Sequence, residues 1–156
     1  MIKKRGFRIE EIESKLNDVI ESIAVVEENL PEGLGEFLNL GLIKEGIYKK
    51  VEFAIESVID IFNIINSDLR LGVPEMEEDI INNLRKNNIL DNKILSLIAE
   101  MKKFRNILVH KYGKIDDKKA FEDIKDGLKD FEQIIKEIEN FLEKHKKDKG
   151  GKKLLS

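Results

Sequence analysis

Apolar side chains recur at steps of three and four residues along most of this chain. Residues 9–30 follow this spacing near the start, and residues 121–142 repeat it near the end. In a helix such steps place the apolar side chains on one face, so the pattern predicts two long amphipathic helices. The first is expected to stop at Pro31, because proline cannot continue the helical hydrogen bonds.

The middle of the chain predicts three further helices. Residues 42–65 carry a long apolar stripe, and residues 75–86 form a shorter amphipathic segment. Asp91 or Asn92 can cap a helix that runs as far as Gly113, where glycine takes the left-handed conformation of a helix end. We therefore predict five helices in this chain.

The fold class follows from these elements. No alternation of period two is long enough to predict a strand. Five helices with short connections predict an all-α, up-and-down bundle, with residues 34–46 as the loosest connection. We expect a helical domain at residues 1–142. Residues 143–156 are basic and lack a hydrophobic period, so we expect a disordered tail in which His145 is solvated.

Composition narrows the class of protein. The 156 residues suffice for one domain, and 38% charged residues with only two prolines suit a helical bundle. No apolar run approaches the roughly 18 residues of a membrane span, and no signal peptide is visible, so we expect a cytoplasmic protein. The absence of cysteine excludes disulfides and fits a reducing compartment. A net charge of −3 argues against one broad nucleic-acid-binding surface.

The most distinctive polar residues lie together near the end of the fifth predicted helix. Arg105, Asn106, His110 and Tyr112 fall within eight positions, and His110 is one of only two histidines in the chain. These side chains have hydrogen-bonding and proton-transfer chemistry that the abundant Lys and Glu residues do not share. This segment is therefore the candidate site.

Helical geometry limits what this segment can do in one copy. Asn106 and His110 share a face, but Arg105 and His110 are roughly 140° apart and about 7.5 Å apart along the axis. Two copies crossing at a symmetric seam would line one groove with two arginines and two histidines, so we predict a homodimer. We expect Leu108 and Phe104 to face the core. In the alternative interpretation, Arg105 is a salt-bridged surface residue and His110 complements the helix dipole.

Residues 105–112 resemble the Arg-x4-His-x-Tyr signature of the HEPN superfamily, specifically its HepT-like branch. The resemblance extends over about residues 9–142. It includes the second helix of that branch at residues 48–60, a turn at residues 72–74, a break at residues 88–91 and a helix start at residues 115–116.

The resemblance implies metal-independent cleavage of RNA without a cofactor. The ribose 2′-hydroxyl attacks the adjacent phosphate and leaves a 2′,3′-cyclic phosphate and a free 5′-hydroxyl. In this chemistry His110 moves protons near neutral pH, and Arg105 stabilises the negative charge of the phosphorane. Asn106 either holds the imidazole or binds a phosphate oxygen.

The resemblance also implies a partner. HepT-like proteins are toxins, and their usual antitoxin is a minimal nucleotidyltransferase (MNT). Tyr112 matches the position at which the partner attaches AMP; alternatively, Tyr112 packs at the helix end or hydrogen-bonds across the dimer. Two other functions stay open for the chain: a nuclease-inactive interaction or substrate-binding subunit of a nucleotidyltransferase, and a structural bundle without an active site.

Two carboxylates on the helix at residues 42–65 are further candidates. Glu56 and Asp60 are four residues apart, so they share a face and could bind a divalent metal or act as acid and base. The alternative is that they form salt bridges with basic residues of neighbouring helices. Because HEPN proteins often place a polar residue here, we expect one of the two to orient Arg105 or His110. We expect no metal site, because the chain has no cysteine, no second histidine in its predicted bundle and no metal-binding motif.

Overall fold

Six helices account for most of the structure, a computed structural model that describes residues 8–111 and 113–155, with side chains as far as residue 146. No strand occurs within these ranges, so the all-α prediction is confirmed for them. The prediction of five helices was wrong, because a short helix forms between residues 34 and 46. The helices are α1 (Ile9–Asn29), α2 (Leu34–Leu38), α3 (Leu42–Asp68), α4 (Glu77–Lys86), α5 (Asn92–His110) and α6 (Asp117–Leu155).

Helix α3 forms the centre of the core and packs against α1, α4 and α5. Its side chains fill the core along its whole length, from Ile47 to Ile65. The predicted stripe of α1 faces it, with Ile12, Val19 and Val26 fully buried. Full burial of a side chain of this size contributes about 1.5–3 kcal/mol. The apolar spacing therefore identified the correct core face of both helices.

The unpredicted helix α2 depends on one aromatic side chain. Phe37 is fully buried, and its ring centroid lies 4.9 Å from that of Phe121 and 5.9 Å from that of Tyr48. Five residues do not form a stable helix in isolation. Helix α2 is thus stabilised by packing across α3 and α6, which a short segment of sequence does not reveal.

A partly buried hydrogen-bond network joins the start of α6 to α3. Tyr48 donates a hydrogen bond to Asp117 at 2.6 Å, and Lys44 donates to the other carboxylate oxygen at 2.8 Å. Burial by itself raises the pKa of Asp117, but these two hydrogen bonds and the positive charge of Lys44 together outweigh burial and hold the pKa below its usual range. The network therefore holds the start of α6 against α3.

Both ends of α5 match the sequence prediction. The Asp91 side chain accepts a hydrogen bond from the backbone N–H of Lys93 at 3.2 Å, so Asp91 is the cap and Asn92 is the first helical residue. The helix ends at His110, and Gly113 has φ 87°. Glycine takes this left-handed conformation without the clash that a Cβ would make.

The end of the chain differs from the prediction. Helix α6 continues to Leu155, so the backbone of residues 143–155 is helical rather than irregular. Lysine and glutamate are good helix formers, and no proline interrupts this segment. His145 is half-buried, with its ring centroid 4.1 Å from that of Phe141, because one helical turn brings the two rings together. The domain boundary at residue 142 stays a prediction. No helix in the described part of the chain is long and apolar enough to cross a membrane.

Replacement of Leu108 tests the packing of α5. Leu108 is 4% exposed, whereas Val25 of α1 is 39% exposed. We expect Leu108→Ala to lower the free energy of unfolding by about 2–5 kcal/mol, because it leaves a cavity in the core. Val25→Ala is the control and should change it by less than about 0.5 kcal/mol. Urea denaturation followed by circular dichroism measures both values, and equal effects would contradict this packing.

Candidate functional site

Arg105 lies inside a group of charged side chains rather than free in solvent. Its side chain is 14% exposed. Nη2 is 2.6 Å from Oε2 of Glu77, the first residue of α4, and Nη1 is 3.9 Å from Oε1 of Glu56 on α3. Nε donates a hydrogen bond to Oδ1 of Asn106 at 3.0 Å. Three helices therefore determine the position of this guanidinium.

A second cation belongs to the same group. Lys102 lies one turn before Arg105 on α5, and its Nζ is 3.6 Å from the same Oε2 of Glu77. Arg105, Lys102, Glu56 and Glu77 are called the Arg105 cluster below. With two cations and two anions, the Arg105 cluster is formally neutral.

Sequence reasoning missed two members of the Arg105 cluster. Glu77 is 28 residues from Arg105 in the chain and is one of several acids in the first turn of α4. Lys102 is one lysine among many. No local spacing connects Glu77 to the motif, so this contact is determined by how α4 packs against α5.

The two predicted carboxylates of α3 have different partners. Glu56 lies beside Arg105, whereas Asp60 accepts from Lys15 of α1 at 3.2 Å. The structure thus brings one of the pair to the motif and directs the other to α1. Among the described residues, no group of three or more His, Cys, Asp or Glu side chains is placed to hold a metal ion.

Asn106 and His110 both lie in the last two turns of α5. His110 is the last residue of the helix and is exposed. Asn106 is also exposed, and its Oδ1 atom accepts from Arg105. The arginine faces α3 and α4 while the histidine faces solvent, in keeping with their helical separation. Tyr112 lies outside the described residues.

A separate cleft of about 390 Å³ lies on another flank of α5, against α3 and α6. Its floor includes Phe104, Ile107 and Phe131, and its rim includes Asp123 and Asp130. Burial raises the pKa of both rim carboxyls, and the nearby charge of Asp126 adds to the effect. An acidic rim repels phosphates, so this cleft is a poor candidate for binding RNA.

Known proteins share both the sequence and the fold. The mRNA nuclease HepT of Shewanella oneidensis is 29% identical over 93 residues, which cover 60% of this chain and 70% of that protein. A solved structure of the tri-AMPylated Shewanella oneidensis HEPN toxin in complex with MNT antitoxin is 25% identical. It has a TM-score of 0.75 and covers 83% of this chain and 97% of that chain.

A more distant structure shares the fold alone. YutE of Bacillus subtilis, described as a cytosolic protein of unknown function, is 17% identical, with a TM-score of 0.74, and covers 88% of this chain and 92% of that chain. The family model for ribonuclease HepT-like proteins matches residues 19–138, which include α5 and the Arg–His motif. This chain therefore belongs to the ribonuclease HepT-like family.

Proposed function

We propose that this protein is a metal-independent endoribonuclease toxin in which Arg105 and His110 carry the chemistry. The observation that carries the proposal is the position of both residues in the last turns of α5, within the segment that matches the family. The similarity to an mRNA nuclease supports RNA as the substrate. The cytoplasm, where messenger RNA is available, is the proposed location.

His110 supplies proton transfer in this proposal. The neutral imidazole takes the proton from the ribose 2′-hydroxyl, whose oxygen then attacks the adjacent phosphorus. The bond from phosphorus to the 5′-oxygen breaks, and that oxygen receives a proton. Imidazole titrates near neutral pH, and His110 is exposed to an incoming strand. In a homodimer, the protonated histidine of the second copy donates the leaving-group proton.

Arg105 supplies charge stabilisation. Guanidinium is a permanent cation, and its planar N–H donors match the oxygens of a phosphorane. The contacts with Asn106 and Glu56 support an orienting role for these two residues. No step in this scheme requires a metal ion.

Arg105 and His110 face different ways within one copy, and a homodimer would place the arginines and histidines of two copies along one groove. Exposed apolar residues lie beside the Arg105 cluster: Phe53 is one turn before Glu56 on α3, and Val109 is one turn after Arg105 on α5. Burial of such side chains against a second copy is favourable. We propose that this face forms the two-fold interface.

Regulation by a minimal nucleotidyltransferase antitoxin completes the proposal. The related Shewanella toxin is AMPylated and was solved with its antitoxin. Here the acceptor would be Tyr112, the tyrosine two residues after His110 in the family motif. The added phosphodiester would compete with RNA for the guanidinium, and the adenosine would obstruct the groove.

Substitution of the two motif residues tests the chemistry. Arg105→Lys keeps the charge but loses the planar donors, and His110→Ala removes the proton carrier. We expect each to slow RNA cleavage by about 100-fold or more while leaving Tm unchanged. His145→Ala, at the only other histidine, should keep the wild-type rate. Assays in EDTA with detection of 2′,3′-cyclic phosphate ends measure this, and wild-type cleavage by the motif variants would refute the assignment.

A charge placed on the proposed interface tests the homodimer. We expect light scattering at micromolar concentration to give a dimer for the wild type. Val109→Glu should give a monomer with little activity, because the charge would have to be buried. Ile20→Glu is the matched control on the exposed face of α1 and should stay dimeric. An active wild-type monomer would overturn the shared groove.

Intact-mass analysis after co-expression with the cognate nucleotidyltransferase tests Tyr112. We expect adenylyl-sized increments on the wild type and none on Tyr112→Phe. Tyr48→Phe, at the only other tyrosine, should keep them, because Tyr48 is buried. An unmodified wild type whose toxicity is still neutralised would leave steric masking as the mechanism.

A further inference from the structure

The guanidinium of Arg105 already holds an anion. Oε2 of Glu77 lies 2.6 Å from Nη2 of Arg105 and 3.6 Å from Nζ of Lys102, so one carboxylate oxygen sits between two cations. An RNA phosphate needs the same position to make a paired contact with the guanidinium. Glu77 and substrate therefore compete for the same donors.

The charge balance of the Arg105 cluster strengthens this competition. Glu56 and Glu77 together neutralise Arg105 and Lys102, so an approaching phosphate meets no net positive charge. Glu56 is 3.9 Å from Nη1, beyond hydrogen-bonding distance, whereas Glu77 makes a short hydrogen bond. Glu77 is thus the carboxylate that an incoming phosphate has to displace.

The surroundings of Glu77 allow this displacement. Its side chain is 47% exposed, so water can solvate the Glu77 carboxylate when it leaves Arg105. Glu77 begins α4, and the preceding residues Val73 and Met76 are exposed to solvent. By contrast, the side chain of Lys102 is largely buried and stays beside Arg105. When Glu77 leaves, two cations face one remaining carboxylate.

We propose that Glu77 sets the affinity of the active site for RNA by occupying Arg105 until a phosphodiester displaces it. This inference rests on the proposed function, since it concerns the same arginine. It makes Glu77 an affinity-determining residue that acts through Arg105 and does not touch the reacting atoms.

Binding of a 2′-O-methyl oligoribonucleotide separates affinity from cleavage, because the probe lacks a free 2′-hydroxyl. We expect Glu77→Gln and Glu77→Ala to bind it about three- to tenfold more tightly than the wild type in fluorescence anisotropy at fixed salt. Glu78→Gln is the matched control: it removes the same charge from the next position of α4, which is also exposed, and should bind like the wild type.

A double-mutant cycle assigns the effect to Arg105. In an Arg105→Ala background, Glu77→Gln should lose most of its gain in affinity over Glu78→Gln, because the guanidinium donors are gone and only Lys102 remains beside Glu77. Unchanged or weaker binding by Glu77→Gln in the wild-type background would overturn the proposal, weaker binding indicating that Glu77 only positions the arginine. Equal tightening by Glu78→Gln would also overturn it, as a general charge effect.

The outcomes distinguish this proposal from the ribonuclease assignment. If the wild type cleaves RNA but Glu77→Gln binds the probe no more tightly, the proposal that Glu77 competes with RNA is wrong and the ribonuclease assignment is kept. If no RNA is cleaved but Glu77→Gln tightens probe binding through Arg105, the proposal that Glu77 competes with the phosphodiester is supported and the ribonuclease assignment is wrong.

Discussion

Burial of the apolar side of α3 is the constraint on which the rest of the structure depends. Helices α1, α4 and α5 each pack against α3, and α2 and the start of α6 are held beside it through Phe37 and Asp117. The polar side chain of Asn66 is buried within α3 but satisfied: it donates to the carbonyl of Gly72 at 2.8 Å and accepts from Asn83 at 3.1 Å. A core helix thereby also fixes the turn into α4.

The candidate site is a consequence of this packing. Glu56 projects from α3, Glu77 begins α4, and Arg105 and Lys102 come from α5, so the Arg105 cluster forms where three helices meet. A lone arginine at an exposed helix end would be mobile and hydrated. Here it is held by hydrogen bonds and largely removed from water, which orders the guanidinium but also neutralises it. The same ion pairs that order the guanidinium of Arg105 therefore also make it less available to an RNA phosphate.

Prediction from sequence succeeded for helices whose apolar pattern or end residues lie within the helix itself or next to it. The long apolar stripes identified α1, α3 and α6, and Asp91 and Gly113 marked the two ends of α5. It failed for α2, whose five residues are too few to show a period and depend on the burial of Phe37. It also treated the end of α6 as a tail, because an amphipathic stripe reports packing and not helix propensity.

The sequence by itself determined which residues share a helix face and that Arg105 and His110 diverge, because both facts follow from the rotation per residue within one helix. It also carried the family signature, which is contiguous in the chain. Only the tertiary structure decided that Arg105 meets Glu77, that Glu56 rather than Asp60 approaches the motif, and that His110 stays exposed. Those outcomes depend on how helices distant in sequence pack, and local spacing contains no information about that packing.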